Sequence, residues 1–79
     1  MEKAEIVIRL TPVFRNVFRD NTLEITDELS AHDVENWDSL SHMLLIAEVE
    51  NQFAIKFKLK DLNKMRNVGD MITVISSKL

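Results

Sequence analysis

Trp37-Asp38-Ser39-Leu40, continued without glycine or proline through Met43-Leu44-Leu45-Ile46-Ala47 to Phe53, is the stretch whose reading decides the fold. Asp38 is a good N-cap, because a short acidic side chain accepts from the unpaired N–H groups of a first helical turn. A helix is therefore predicted over residues 39–53. At about 100° per residue, Leu45, Ile46, Val49 and Phe53 fall on one side. Leu40, Leu44 and Ala47 group on nearly the opposite side, with Met43 at its edge. In so small a molecule only one of the two sides can face the core.

Upstream, Ile6, Leu10, Val13, Phe14, Val17 and Phe18 recur at intervals of three and four between Lys3 and Arg19, the spacing of one helical face. Pro12 interrupts that pattern, since proline removes a helical hydrogen bond and crowds the preceding turn. The favoured reading is one helix kinked at Pro12; the alternative is a shorter helix capped by Thr11 with Pro12 at its first position. Residues 20–37 are polar and acidic, with Leu23, Ile25, Leu29 and Val34 scattered among them. They read as a long loop pinned to the core by those apolar side chains, and loops of this length are commonly functional. Trp37 is expected to close the loop onto the bundle.

Downstream, Ile55 to Lys60 alternate strictly between apolar and basic residues, a strand pattern with no partner strand in the chain. Residues 55–59 are read instead as an extended connector whose apolar side chains dip into the core. A brief helix from Leu59 to Met65 and a last helix from Val68 to Ser77 follow, the latter capped by Asn67 with Asp70 in support. Val68, Met71, Ile72 and Ile75 form its apolar stripe. The expected fold is all-α: a small four-helix bundle of three longer helices and one short helix, with a long first loop.

Seventy-nine residues accommodate one core, so residues 1–79 are expected to form a single domain. The composition, 46% hydrophobic and 29% charged, is that of a globular chain. The absence of cysteine excludes a disulfide framework and thiolate metal sites. Neither a signal peptide nor a membrane span is legible at the N-terminus, so a cytoplasmic location is expected. Charge is unevenly spread. Residues 20–50 contain nine Asp or Glu and no Lys or Arg, whereas Lys56, Lys58, Lys60, Lys64 and Arg66 stand against the single Asp61 in residues 51–66.

Asp38-Ser39-Leu40 opening an apolar helix, Glu48 and Glu50 late in it, the Phe53-Ala54-Ile55 exit and Asn67-Val68-Gly69-Asp70 opening the last helix together resemble the acyl carrier protein family over nearly the whole chain. The resemblance implies a non-catalytic carrier with 4'-phosphopantetheine, derived from coenzyme A, attached to Ser39. It implies that Asp38 contacts the phosphopantetheinyl transferase and its magnesium, and that Leu40 meets partner enzymes. Met43, Leu44 and Ala47, with the acidic rim of Glu48 and Glu50, complete the expected partner-binding face. The implied partners are that transferase, an acyl-loading ligase or acyltransferase, and downstream biosynthetic enzymes. No nucleic acid, membrane or resident metal is expected, and the chain is expected to be a monomer.

Three features depart from the family pattern: Trp37 where a small residue is common, Leu44 where fatty-acid carriers usually have an acid, and the basic 56–66 segment. They point to a specialised lipid, polysaccharide or secondary-metabolite pathway, with housekeeping fatty acid synthesis or an unmodified adaptor as alternatives. Ser39 taken without the resemblance reads as a helix-capping serine. A hydrolase assembled from Ser39, His42 and an aspartate lacks a glycine-rich loop for an oxyanion hole, and His32 lies in the polar loop. The basic segment is too short a cationic face, in an acidic protein, for a nucleic-acid module.

Overall fold

Ile6, Leu10, Val13, Phe14 and Phe18 are buried along one side of a continuous helix, α1 (Lys3–Phe18), in a computed structural model that describes all residues from Met1 to Leu79. Pro12 lies inside that helix. The alternative of a shorter helix capped by Thr11 does not hold, because the Thr11 hydroxyl donates to the Val7 carbonyl oxygen at 2.8 Å. The helix stops one residue before the expected Arg19. Arg19 adopts the left-handed conformation (φ 54°), and its N–H together with that of Asp20 closes on the Arg15 carbonyl.

Three further helices follow: α2 (Ser39–Phe53), α3 (Leu59–Asn63) and α4 (Val68–Lys78), with no strand. α1 packs against both α2 and α4. Sixteen buried side chains from α1, the first loop, α2, its exit and α4 make one apolar cluster, with Trp37, Phe57, Leu62 and Met65 packed half-buried against it. The four-helix, all-α bundle expected from the sequence is the fold observed. No helix is long and apolar enough to cross a membrane.

The long loop is fastened at several points. Leu29 and Val34 are buried, Leu23 and Ile25 half-buried, and Arg15 Nε donates to the Leu23 carbonyl at 3.0 Å. Its middle also completes the start of α4, where the Val68 N–H donates to the Leu29 carbonyl (2.9 Å) and the Gly69 N–H to the Asp27 carbonyl (3.0 Å). Asn67 caps the same turn by accepting from the Asp70 N–H at 2.8 Å. First-turn N–H groups that would otherwise lack partners are thus satisfied by the loop.

The connector after α2 corrects one expectation. Ile55 is buried and Phe57 half-buried, but Leu59 is 75% exposed and does not dip into the core. α3 begins at Leu59, with the Lys58 N–H held by the Asp61 carboxylate at 2.8 Å. The side-chain period therefore changes from 2 to 3.6 at this residue, which turns Leu59 outward. α3 ends at Asn63, short of the expected Met65, while α4 runs one residue beyond Ser77, and Lys78 there reaches Asp61 at 2.9 Å.

Candidate functional site

Asp38 and Ser41 build the N-terminus of α2 between them. Asp38 Oδ1 accepts from the Ser41 N–H, and Ser41 Oγ accepts from the Asp38 N–H, both at 2.9 Å, forming a reciprocal capping box. Ser41 also donates toward the Asn36 carbonyl at 2.8 Å, tying the end of the loop to the helix. Hydrogen bonds from the Ser41 backbone and then its side chain hold the Asp38 carboxyl below its ordinary pKa, so it is ionised at neutral pH.

This arrangement decides what Ser39 is not. The capping serine is Ser41. Ser39 occupies the first helical position, exposed, and takes no part in the cap. A hydroxyl there lies beside the unpaired N–H groups of the first turn and the positive end of the helix dipole, an environment that favours an attached phosphate. The sequence reading recognised Asp38 as a cap but missed Ser41. The signal was present as an acid and a hydroxyl three residues apart.

Beside Ser39 opens a groove of about 540 Å³ lined by Ala31, Trp37, Asp38, Ser39, His42 and Met43. Trp37 forms its inner wall. The indole lies edge-on to Phe14 (5.7 Å between centroids) and tilted against Phe18 (5.2 Å), closing the loop onto the bundle as expected. Its Nε1–H donates to His42 Nδ1 at 3.1 Å, and the two rings stack. Burial pulls the His42 pKa below its ordinary value, so the imidazole is held neutral with Nδ1 as an acceptor. That nitrogen is engaged by tryptophan, which leaves the Ser39–His42 hydrolase reading without its base. His32 lies exposed in the loop, and no cluster of metal-ligating side chains is present.

The two apolar sides of α2 are now distinguished. Leu45, Ile46, Val49 and Phe53 are buried, while Leu40, Met43 and Leu44 are 74%, 62% and 55% exposed. Ala47 and Glu48 are exposed with them. Leu44 also borders a second groove, between α1 and α2, that includes Pro12, Val13, Arg19 and Glu48. Glu50 is placed differently from the rest of the expected face: it is half-buried, and its Oε2 accepts the Phe57 N–H at 2.8 Å, fastening the exit of α2. Its carboxylate has an internal partner, whereas that of Glu48 does not.

No family model matches the chain. It is 30% identical over 79 residues to a protein named acyl carrier protein from Exiguobacterium sp., covering 100% of both chains. It is 32% identical over 71 residues to a meromycolate extension acyl carrier protein of Mycobacterium leprae, covering 90% of this chain but 62% of that protein. The solution NMR structure of a holo acyl carrier protein from Geobacter metallireducens matches with a TM-score of 0.86 and 47% identity, over 91% of this chain and 83% of that one.

Proposed function

Because the chain belongs to the acyl carrier protein family, we propose that Ser39 bears a 4'-phosphopantetheine arm on which acyl or related intermediates are held as thioesters and presented to partner enzymes. The observation that carries this reading is the division of labour at the start of α2: Asp38 and Ser41 cap the helix, and Ser39 is left exposed with no structural duty.

Attachment requires the Ser39 oxygen to form a bond to the β-phosphorus of coenzyme A while the pyrophosphate P–O bond breaks. Adenosine 3',5'-bisphosphate leaves, and the hydroxyl proton passes to a base of the transferase. This chain contributes the nucleophilic oxygen, the helix N-terminus that favours the resulting phosphodiester, and the Asp38 carboxylate, ionised at neutral pH, which would help hold the transferase's magnesium. The arm then supplies a thiol for the thioester. Tethering raises the cargo's concentration at a docked enzyme to the order of millimolar, and the carrier itself supplies no general acid or base.

Docking falls to the exposed face of Leu40, Met43, Leu44 and Ala47, with Asp38 and Glu48 as its acidic rim. Such a rim speeds encounter with basic partner surfaces. Glu50, tied to Phe57, has the smaller part. Trp37, Leu44 and the basic 56–66 segment favour a specialised lipid, polysaccharide or secondary-metabolite pathway, and the mycobacterial relative's name, meromycolate extension, is in keeping with a lipid. The carrier acts as a single domain over residues 1–79, as a cytoplasmic monomer. Incubation of the apo-protein with coenzyme A, magnesium and a broad-specificity phosphopantetheinyl transferase tests the reading by intact mass. The wild type gains one phosphopantetheine and Ser39→Ala gains none. An unmodified wild type, or a gain that persists in Ser39→Ala, overturns it.

A further inference from the structure

Leu59 is the most exposed large apolar side chain of the protein, at 75%, and it stands between the exposed Lys58 and Lys60, with Lys56 exposed on the far side of the half-buried Phe57. Lys64 follows within the next turn. None of these four lysines has an ion-pair partner in the fold, where the pairs are Lys3–Asp27, Arg9–Glu5, Arg66–Asp70 and Lys78–Asp61. Asp61, the one acid within residues 51–66, is turned inward: its side chain is 12% exposed and is engaged by the Lys58 N–H and by Lys78 of α4. α3 and the residues flanking it therefore carry four exposed lysines without ion-pair partners and one protruding leucine.

We infer that this knuckle is a peripheral docking surface for an anionic lipid bilayer, with Leu59 inserting among the acyl chains and Lys56, Lys58, Lys60 and Lys64 held at the headgroups. Lysine suits that position, because its long apolar stem reaches from a buried base to a wet charge. It suits a protein interface less well, since lysine is depleted from the cores of such interfaces. A nucleic acid would attract the same charges but offers its phosphate surface nothing apolar for Leu59 to enter. The net charge of −3 does not prevent local attraction. The Debye length at about 0.1 M salt is roughly 10 Å, shorter than any dimension of a molecule measuring 29 × 25 × 22 Å, so nearby charge outweighs the total. The mode is distinct from a membrane span, for which no helix is long and apolar enough.

The inference does not depend on modification of Ser39, and the apo-protein tests it by co-sedimentation with vesicles of phosphatidylcholine alone and of equimolar phosphatidylcholine and phosphatidylglycerol, at low and high salt. The wild type partitions onto the mixed vesicles at low salt and is released by high salt. Each lysine near an anionic surface strengthens partition roughly fivefold, so Lys56→Gln/Lys58→Gln/Lys60→Gln weakens it on the order of a hundredfold. Leu59→Ser weakens it severalfold while leaving the salt dependence unchanged. All four positions are exposed, and circular dichroism checks that the helices persist. Equal partition onto neutral and anionic vesicles overturns the inference, as does undiminished binding by the triple variant or by Leu59→Ser. Salt-sensitive retention on single-stranded RNA without retention on the mixed vesicles assigns the patch to nucleic acid and overturns it as well. Loss of the mass gain at Ser39 leaves this result untouched, so the two readings fail separately.

Discussion

Replacing Gly69 by alanine sets two physical effects in opposition, and the structure fixes which wins. Alanine is the better helix former by about 1 kcal/mol in a helix interior, so a reading from propensity expects stabilisation. Gly69, however, is the second residue of α4, in the first turn, where less of that gain is realised. A Cβ added there would stand 3.2 Å from both the Cβ and the carbonyl oxygen of Asp27 and 3.3 Å from Asn67 Oδ1. Carbon atoms pack optimally at about 3.5–4.0 Å. The loop must therefore retreat by a few tenths of an ångström, which strains the Gly69–Asp27 and Val68–Leu29 backbone bonds of 3.0 and 2.9 Å. The Asn67 cap is crowded at the same time. A backbone hydrogen bond contributes about 1 kcal/mol net, so straining two of them and the cap outweighs the reduced propensity gain and leaves a loss of up to about 1 kcal/mol. For a domain of this size the loss lowers Tm by up to about 4–8 °C, read by circular dichroism at 222 nm. In the Gly69→Ala background, Asp27→Gly removes one of the two Asp27 contacts and makes the double variant more stable than additivity requires. A Gly69→Ala protein as stable as the wild type, or more so, refutes the close-approach account.

The other predictions concern α2 and its surroundings. Leu45→Ala, at a fully buried site, costs about 2–5 kcal/mol, whereas its neighbour Leu44→Ala, 55% exposed, costs under about 1 kcal/mol; urea unfolding of the pair checks which side of the helix faces the core. Ser41→Ala destabilises by about 0.5–2 kcal/mol through loss of the capping box, while Ser39→Ala leaves stability unchanged, and the reverse ranking would contradict the assignment of roles. His42 has a folded-state pKa lowered by burial, so as pH falls the unfolded chain takes up its proton first, near the ordinary value of about 6.5. Its contribution is complete above that pH and is lost as pH falls through the lower folded-state value. Trp37 fluorescence during urea titrations follows this, the pH dependence flattening in His42→Asn.

Much of the site was legible because it is built from neighbours in the chain. Asp38 three residues before a hydroxyl, the apolar period of α2, and Asn67 with Asp70 are local signals, and local hydrogen bonds follow from them. The bond from the Lys58 N–H to the Asp61 carboxylate at the start of α3 was equally local but was hidden by the strict alternation of residues 55–60, which reads as extended until the helix starts. Leu59 was misplaced for that reason. The partner of Glu50 was out of reach of such reading, because the Phe57 N–H approaches it only after the chain reverses beyond Ala54, itself held at φ 54° without glycine.

By itself the sequence determined the helical elements and their ends to within a residue or two and the cap at Asp38, since hydrophobic period and capping chemistry act over a few residues; that Ser39 stands free of the cap was decided by Ser41, whose hydroxyl and N–H close on Asp38 in the folded turn. Only the tertiary structure decided which apolar side of α2 is buried, because two candidate sides compete and the packing of α1 and α4 selects the one bearing Leu45 and Val49. It also decided that the Trp37 indole meets His42 and that Asp61 pairs with Lys78 across helices. That pairing leaves the neighbouring lysines unmatched around Leu59, since the balance of charge at a surface depends on contacts made by residues distant in the chain.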